Sequence, residues 1–452
     1  VTDRADALTF PDGFVWGVAT SSYQIEGAVD ADGRGPSIWD TFCAQPGRVR
    51  GGESGAVACD HYHRWEADLD LLADLGVGAY RFSVAWPRVV PAGTGRVEPR
   101  GLDFYDRLVD GLLARGIAAT PTLYHWDLPQ PLEDAGGWLA RDTAKAFADY
   151  AAVVAERLGD RVDTWWTVNE PAVSAVLGYA IGVHAPGHSL LGGSFPATHH
   201  LLLGHGLAMQ AVRAAVPGAT VGAVLNLSPA EPADPASEAD VLAAAQFDRV
   251  WNRLYLDPLL RGAYPGDGGP PIPGADPSCV RDGDLAIISG PLDRFGVNYY
   301  QPQRVAAAAP GDSLGFTLAA YDGVATTQLG WPVLPDRLTS LLVGLRADYG
   351  DRLPPIVITE NGCAVADEPS PDGAVHDPFR VDFLDGHLRA LHAAIAAGVD
   401  VRGYDVWSFL DNFEWAEGYA PRFGIVHVDY ETQARLPKDS FAWYRSLVTQ
   451  AR

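Results

Sequence analysis

The chain has 452 residues, 47% hydrophobic and 20% charged, a globular composition that excludes a disordered, collagen-like or coiled-coil chain. Acidic residues outnumber basic ones by 57 to 33, and the net charge of −24 argues against nucleic acid or an anionic membrane as main partner. The four cysteines, Cys43, Cys59, Cys279 and Cys363, form no C-x-x-C pair, which predicts free thiols in a reducing compartment.

The first twenty residues lack a basic stretch followed by an apolar one, and no run of about 18 apolar residues occurs anywhere. A cytoplasmic protein with no membrane span is expected, although a chain opening on Val1 leaves a removed leader open. In chain order, short apolar β-type runs fall at 14–20, 79–85, 117–124, 164–168, 221–227, 294–299, 356–359 and 403–409. Apolar residues at helical spacing occupy 65–72, 144–158 and 383–397. Strands alternating with helices predict parallel βαβ units. Eight of them without a break predict an α/β fold, one (β/α)8 TIM barrel over residues 1–452, rather than a doubly wound sheet. The Pro/Gly-rich stretches 264–277 and 367–373 read as long loops between a strand and a helix.

In such a barrel the active site lies at the C-terminal strand ends. Strand four ends in Thr167-Val168-Asn169-Glu170-Pro171 and strand seven in Thr359-Glu360-Asn361-Gly362. A lone glutamate at a strand end is most often a solvated loop residue. Two of them pointing into one pocket are what glycoside hydrolysis needs: one protonates the leaving oxygen, the other attacks or activates water. The neighbouring ends carry His125-Trp126, Asn298-Tyr299-Tyr300, Trp407 and Glu414-Trp415. Aromatic faces beside amides and carboxylates suit a sugar, whose C–H face packs on indole while its hydroxyls find polar partners.

With these residues the chain resembles the glycoside hydrolase family 1 β-glucosidases nearly from end to end. The resemblance is carried by the segment 14–27 (FVWGVATSSYQIEG), Tyr80-Arg81-Phe82-Ser83, Asn169-Glu170-Pro171, Asn298-Tyr299-Tyr300, the segment 358–362 (ITENG) and the segment 407–415 (WSFLDNFEW). It implies a retaining hydrolase of small β-glucosides, with Glu170 as general acid/base and Glu360 as nucleophile. Gln24, His125, Trp126, Asn169, Glu414 and Trp415 match the family's sugar contacts, and Trp407 the platform under the ring. Arg81, Asn298 and Tyr300 match groups that hold the nucleophile. Trp331 resembles the leaving-group-side tryptophan, although the residues after it depart from the family pattern. No metal or organic cofactor is implied, and homo-oligomer formation is left open. On this reading Arg81 and Tyr300 lower the pKa of Glu360, while burial and the Glu360 charge raise that of Glu170.

Other features have blander readings. The H-x-H of His61 and His63 precedes a helical run and reads as capping or packing rather than a metal pair. Cys363 reads as a bystander, Glu26 as a scaffold carboxylate, and His199, His200 and His205 as core or surface residues. His184 and His188 fall in a loop at the pocket mouth. Two rival functions are weaker. A sugar-binding relic would lack one of the two carboxylates. A 6-phospho-β-glycosidase would meet repulsion from Glu414, with no lysine in the Pro421-Arg422 segment to hold a phosphate.

Overall fold

Eight parallel strands close on themselves: β1 (Val15–Ala19), β2 (Ala79–Ser83), β3 (Ala118–Tyr124), β4 (Thr164–Asn169), β5 (Thr220–Asn226), β6 (Arg294–Asn298), β7 (Ile356–Asn361) and β8 (Val401–Trp407). Each pairs with its neighbours in sequence, and β8 pairs with β1 to complete the barrel. The computed structural model describes residues 8–266, 272–309, 311–312 and 314–450. Parallel strands covered on both faces need near-continuous apolar sequence, and seven of the eight keep all but one or two residues buried. Helices such as His61–Leu75, Pro99–Ala114, Arg141–Leu158, Phe195–Ala215, Asp336–Tyr349 and Pro378–Ala396 return the chain between strands.

The predicted runs lie within two residues of the observed strands. Two shifts matter. β7 extends to Asn361, because register irregularities after Ile358 let it keep pairing, so Glu360 lies inside the strand and not beyond it. β2 stops at Ser83, because Pro87 helps start a helical turn at Trp86–Val89. The predicted loop 367–373 does join β7 to helix Pro378–Ala396. The stretch 264–277 differs from expectation: it follows helix Leu254–Arg261 and leads to helix Asp284–Ile288, so it joins two helices. Its residues 267–271 lie outside the described residues.

The register sets one layer of the barrel mouth. Asn226 pairs with Asn298 across β5 and β6, and Asn298 pairs with Glu360 across β6 and β7. On the far side Ala19 pairs with both Arg81 and Trp407. Added structure lies around this mouth. The strands Ala230–Pro232, Gln303–Ala307 and Phe316–Ala319 form a small sheet, and Val426–Val428 pairs antiparallel with Arg435–Pro437. No helix among the described residues is long and apolar enough to cross a membrane.

Candidate active site

Glu170 follows β4 directly. It adopts φ 48°, a left-handed conformation that a non-glycine residue holds only where surrounding contacts compensate. Its amide donates to Val224 O at 2.9 Å, and Pro171 then opens a helical turn that runs into the π-helical segment Ser174–Ala180. Trp126 and Trp415 also have positive φ, at 76° and 52°. Three site residues thus carry this conformation at the ends of three different strands or their loops.

Both glutamates are 3% exposed. Arg81 Nη1 donates to Glu360 Oε1 at 2.7 Å, and Tyr300 OH donates to Glu360 Oε2 at 2.7 Å. Arg81 Nη2 donates to Asn169 Oδ1 at 2.7 Å, and its Nε to Thr122 Oγ1 at 3.1 Å, which fixes the guanidinium in the barrel. Asn298 differs from expectation. Its Nδ2 donates to Glu170 Oε1 at 2.7 Å and to Asn169 Oδ1 at 3.1 Å, so it chiefly holds the acid side of the pair. Thr359 Oγ1 donates to Asn298 Oδ1 at 2.7 Å and sets that amide's orientation.

Burial and the Glu360 charge push Glu170 up to about 8, against the pull of Asn298, Asn226 and Arg81. Glu360 corrects the sequence expectation. Burial drives its pKa above the ordinary value as well, outweighing Arg81, Tyr300 and Asn298. The asymmetry between the two survives, because only Glu360 has a cation in contact and Glu170 feels its partner's negative charge.

The remaining predicted residues gather around this pair. Asn169 Nδ2 donates to His125 Nε2 at 3.2 Å. Burial holds His125 well below its ordinary pKa, so the ring is neutral and its proton sits on Nδ1, which has no protein partner. His125 stacks near Trp407 at 5.8 Å and Trp415 at 6.0 Å, while Trp126 lies 4.6 Å from Trp415 and donates from Nε1 to Asn169 O. Gln24 Nε2 donates to Glu414 Oε2 at 3.3 Å, to Asn412 Oδ1 and to Phe413 O. Burial, then the charges of Glu360 and Glu170, raise Glu414 to about 8. Trp331 is half-buried, 5.5 Å from Tyr300 and 6.0 Å from Phe423, in the apolar cluster that includes Trp407.

The blander readings match what these side chains touch. Glu26 accepts from Arg88 Nε at 3.0 Å and Tyr105 OH at 2.7 Å. His61 faces Asp68 while His63 faces Asp60, so the H-x-H does not converge. His199, His200 and His205 bond Tyr264 and Asp284, Trp138 O, and Thr167 respectively. His184 packs on Trp39 and Trp126, whereas His188 pairs with Glu133. The four cysteines are unpaired, and Cys363 is buried.

Two site residues escaped the sequence reading. Asn226 Nδ2 donates to Glu170 Oε1 at 3.1 Å. A polar residue closing β5 between Leu225 and Leu227 was the available signal. Asp405 sits within β8 at 5% exposure, and burial lifts it to about 8 while Arg81 pulls down and Glu360 pushes up. Its carboxylate occupies the space that a Cβ on Gly17 would need. A carboxyl in the middle of an apolar strand was its signal.

A (β/α)8 barrel whose mouth holds two buried carboxyls, one bound to arginine and the other to amides, among tryptophans and sugar-compatible amides, defines a glycosidase. The chain belongs to Glycosyl hydrolase family 1, whose profile matches residues 6–452. It is 51% identical over 449 residues to the thermostable beta-glucosidase B of Thermobispora bispora, covering 99% of this chain and 92% of that one. It is 48% identical over 470 residues to a bifunctional beta-D-glucosidase/beta-D-fucosidase of Bifidobacterium breve, covering 98% of each. Among solved structures it is similar to a beta-glucosidase from Thermotoga maritima in complex with glucoimidazole. That match has a TM-score of 0.92 and 44% identity and covers 98% of this chain and 99% of that one.

Proposed function

We propose that this chain is a retaining β-glucosidase. It removes terminal non-reducing β-D-glucosyl residues from cello-oligosaccharides and from aryl or alkyl β-glucosides, with side activity on β-fucosides and β-galactosides and some transglycosylation. The observation that carries this reading is the unequal holding of two neighbouring buried glutamates: Glu360 by Arg81 and Tyr300, Glu170 by Asn298 and Asn226. The fucosidase activity in the name of the Bifidobacterium breve relative supports the side activity. We further propose that residues 1–452 act as one catalytic unit in the cytoplasm.

In this mechanism Glu360 attacks the anomeric carbon as Glu170 gives its proton to the glycosidic oxygen, and the aglycone leaves as an alcohol. The covalent ester removes the negative charge of Glu360. Glu170, now relieved of that repulsion, falls in pKa and takes a proton from water, whose oxygen attacks the anomeric carbon and expels Glu360. Two displacements retain the β configuration. The Nδ1 proton of His125, the amide of Gln24 and the carboxyl of Glu414 bind ring hydroxyls, and Trp407 packs beneath the ring. Asn169 bonds the 2-hydroxyl most tightly in the transition state.

The structure also favours plain over phosphorylated sugars. Both lysines are engaged elsewhere: Lys145 with Asp142 on the surface, and Lys438 with Asp367 and Asp411. Buried Glu414 offers a phosphate dianion no positive charge, and once ionised it would repel one. Kinetics with nitrophenyl β-glucoside and its 6-phosphate test this. The plain glucoside should be turned over by far the faster, and a preference for the phosphate would overturn the reading.

A further inference from the structure

Outside the pocket, a buried charge cluster ties the loop after β7 to the turn after β8. Lys438 Nζ donates to Asp367 Oδ1 at 2.9 Å, Asp367 Oδ2 at 3.0 Å and Asp411 Oδ1 at 2.8 Å. Arg422 Nη1 donates to Asp411 Oδ2 at 2.8 Å, and Arg380 Nη1 lies 2.7 Å from Asp367 Oδ2 and also pairs with Asp377. Three cations therefore face three carboxylates, and Lys438 has no exposed side-chain surface. Asp367, Asp411 and His427 place their ligand atoms within 4.8 Å of one another, a grouping that resembles a metal site. The ammonium of Lys438 already bonds two of the three, so the cluster is built around a tethered organic cation.

The cluster's position gives it a role in the reaction. Asp411 lies between Trp407 and Glu414, in the turn that carries the glycone-facing side chains. Its backbone amide donates to Val426 O at 2.9 Å, and its Oδ1 accepts from Gly424 N at 3.0 Å. Two residues on, Phe413 N donates to Gln24 O at 3.1 Å, the same Gln24 whose side chain reaches Glu414. Asp367 belongs to the loop that follows Glu360. Lys438 thus joins the segment after the nucleophile to the segment holding the outer end of the sugar.

We propose that Lys438 is a positioning residue that sets Glu414 against the 4- and 6-hydroxyls of the glycone by fixing Asp411. This rests on the β-glucosidase reading and adds a determinant of glycone recognition remote from the sugar. Without the ammonium, Asp367 and Asp411 face each other as buried anions, left to Arg380, Arg422, the Gly424 amide and nearby His427, and the turn shifts. The catalytic pair, anchored on Arg81 and Asn298, keeps its place.

Steady-state kinetics of Lys438→Met on nitrophenyl β-glucoside and β-xyloside test this, because xylose lacks the 6-hydroxymethyl group. For the glucoside KM should rise on the order of tenfold, the loss of about one well-aligned hydrogen bond, while kcat changes little and xyloside kinetics barely move. Asp411→Asn keeps the size of the side chain but removes the charge that Lys438 holds, so it serves if Lys438→Met does not fold. It should give the same glucoside-selective rise in KM at smaller size. Equal losses on both substrates, or no loss on either in a folded variant, would overturn the proposal. An inactive unsubstituted enzyme would instead overturn the β-glucosidase reading itself.

Discussion

Glu170 and Glu360 are equally buried, but their neighbours divide the work. A guanidinium and a phenol favour the anion at Glu360, whereas burial and a nearby negative charge keep Glu170 protonated against the pull of its two amides. Glu360 must be ionised to attack, so activity should fall as pH drops through its raised pKa. Glu170 must be protonated to donate, so activity should fall again as pH rises through about 8. kcat/KM measured against pH should trace a bell whose limbs belong to the coupled pair, and a flat profile from pH 5 to pH 9 would contradict these assignments. Glu414 supplies a second test at this scale. Its carboxyl should bond the 4- and 6-hydroxyls at roughly 0.5–1.5 kcal/mol per bond while protonated and roughly 1.5–3 kcal/mol once ionised above about pH 8. Glu414→Ala should therefore cut kcat/KM far more for glucosides than for xylosides, and equal losses would place Glu414's effect in folding.

At the scale of elements, the strands were legible because each is a short apolar run ending in polar or aromatic residues. Glu170, Glu360 and the aromatic residues could be read from that strand-end rule alone. Which glutamate Asn298 holds could not, because it depends on the β6–β7 register and on Thr359 turning the amide. Nor could the sign of the Glu360 shift, since sequence shows the arginine but not how completely the carboxyl is buried. Asn226 and Asp405 were overlooked because each is a polar residue flanked by an apolar one, with no motif around it, and only closure of the barrel brings them to Glu170 and Arg81. Gly362 shows how tightly these ends meet: a Cβ there would overlap the carbonyl oxygen of Trp407, backbone that cannot yield cheaply. Gly362→Ala should destabilise the protein by about 1–3 kcal/mol or more through overpacking and should lower kcat by displacing Glu360 or Trp407. A melting temperature and kcat equal to those of the parent would show that the two loops part without cost.

For the molecule as a whole, burial has lifted several carboxyls together. Glu170, Glu414 and Asp405 stand near 8 and Asp127 near 7. Their native pKa values exceed their unfolded ones of about 4, so the native state binds more protons than the unfolded chain between those values. The stability from these groups is fully present below about 4 and is lost as pH rises through 7 to 8. The net charge of −24 acts in the same direction through self-repulsion. Calorimetry should find a lower Tm at pH 9 than at pH 6, and a Tm that rises over this interval would contradict the burial of charge described here. The central claim, that the barrel sets two glutamates to different tasks in a retaining reaction, is tested most directly by azide rescue of two variants on dinitrophenyl β-glucoside, with the product anomer read by NMR. In Glu170→Ala, Glu360 still forms the covalent intermediate, and azide, which needs no base, should restore turnover and give the β-azide. In Glu360→Ala, azide should displace the leaving group once and give the α-azide. The α-azide from Glu170→Ala together with the β-azide from Glu360→Ala would show that the two roles are reversed.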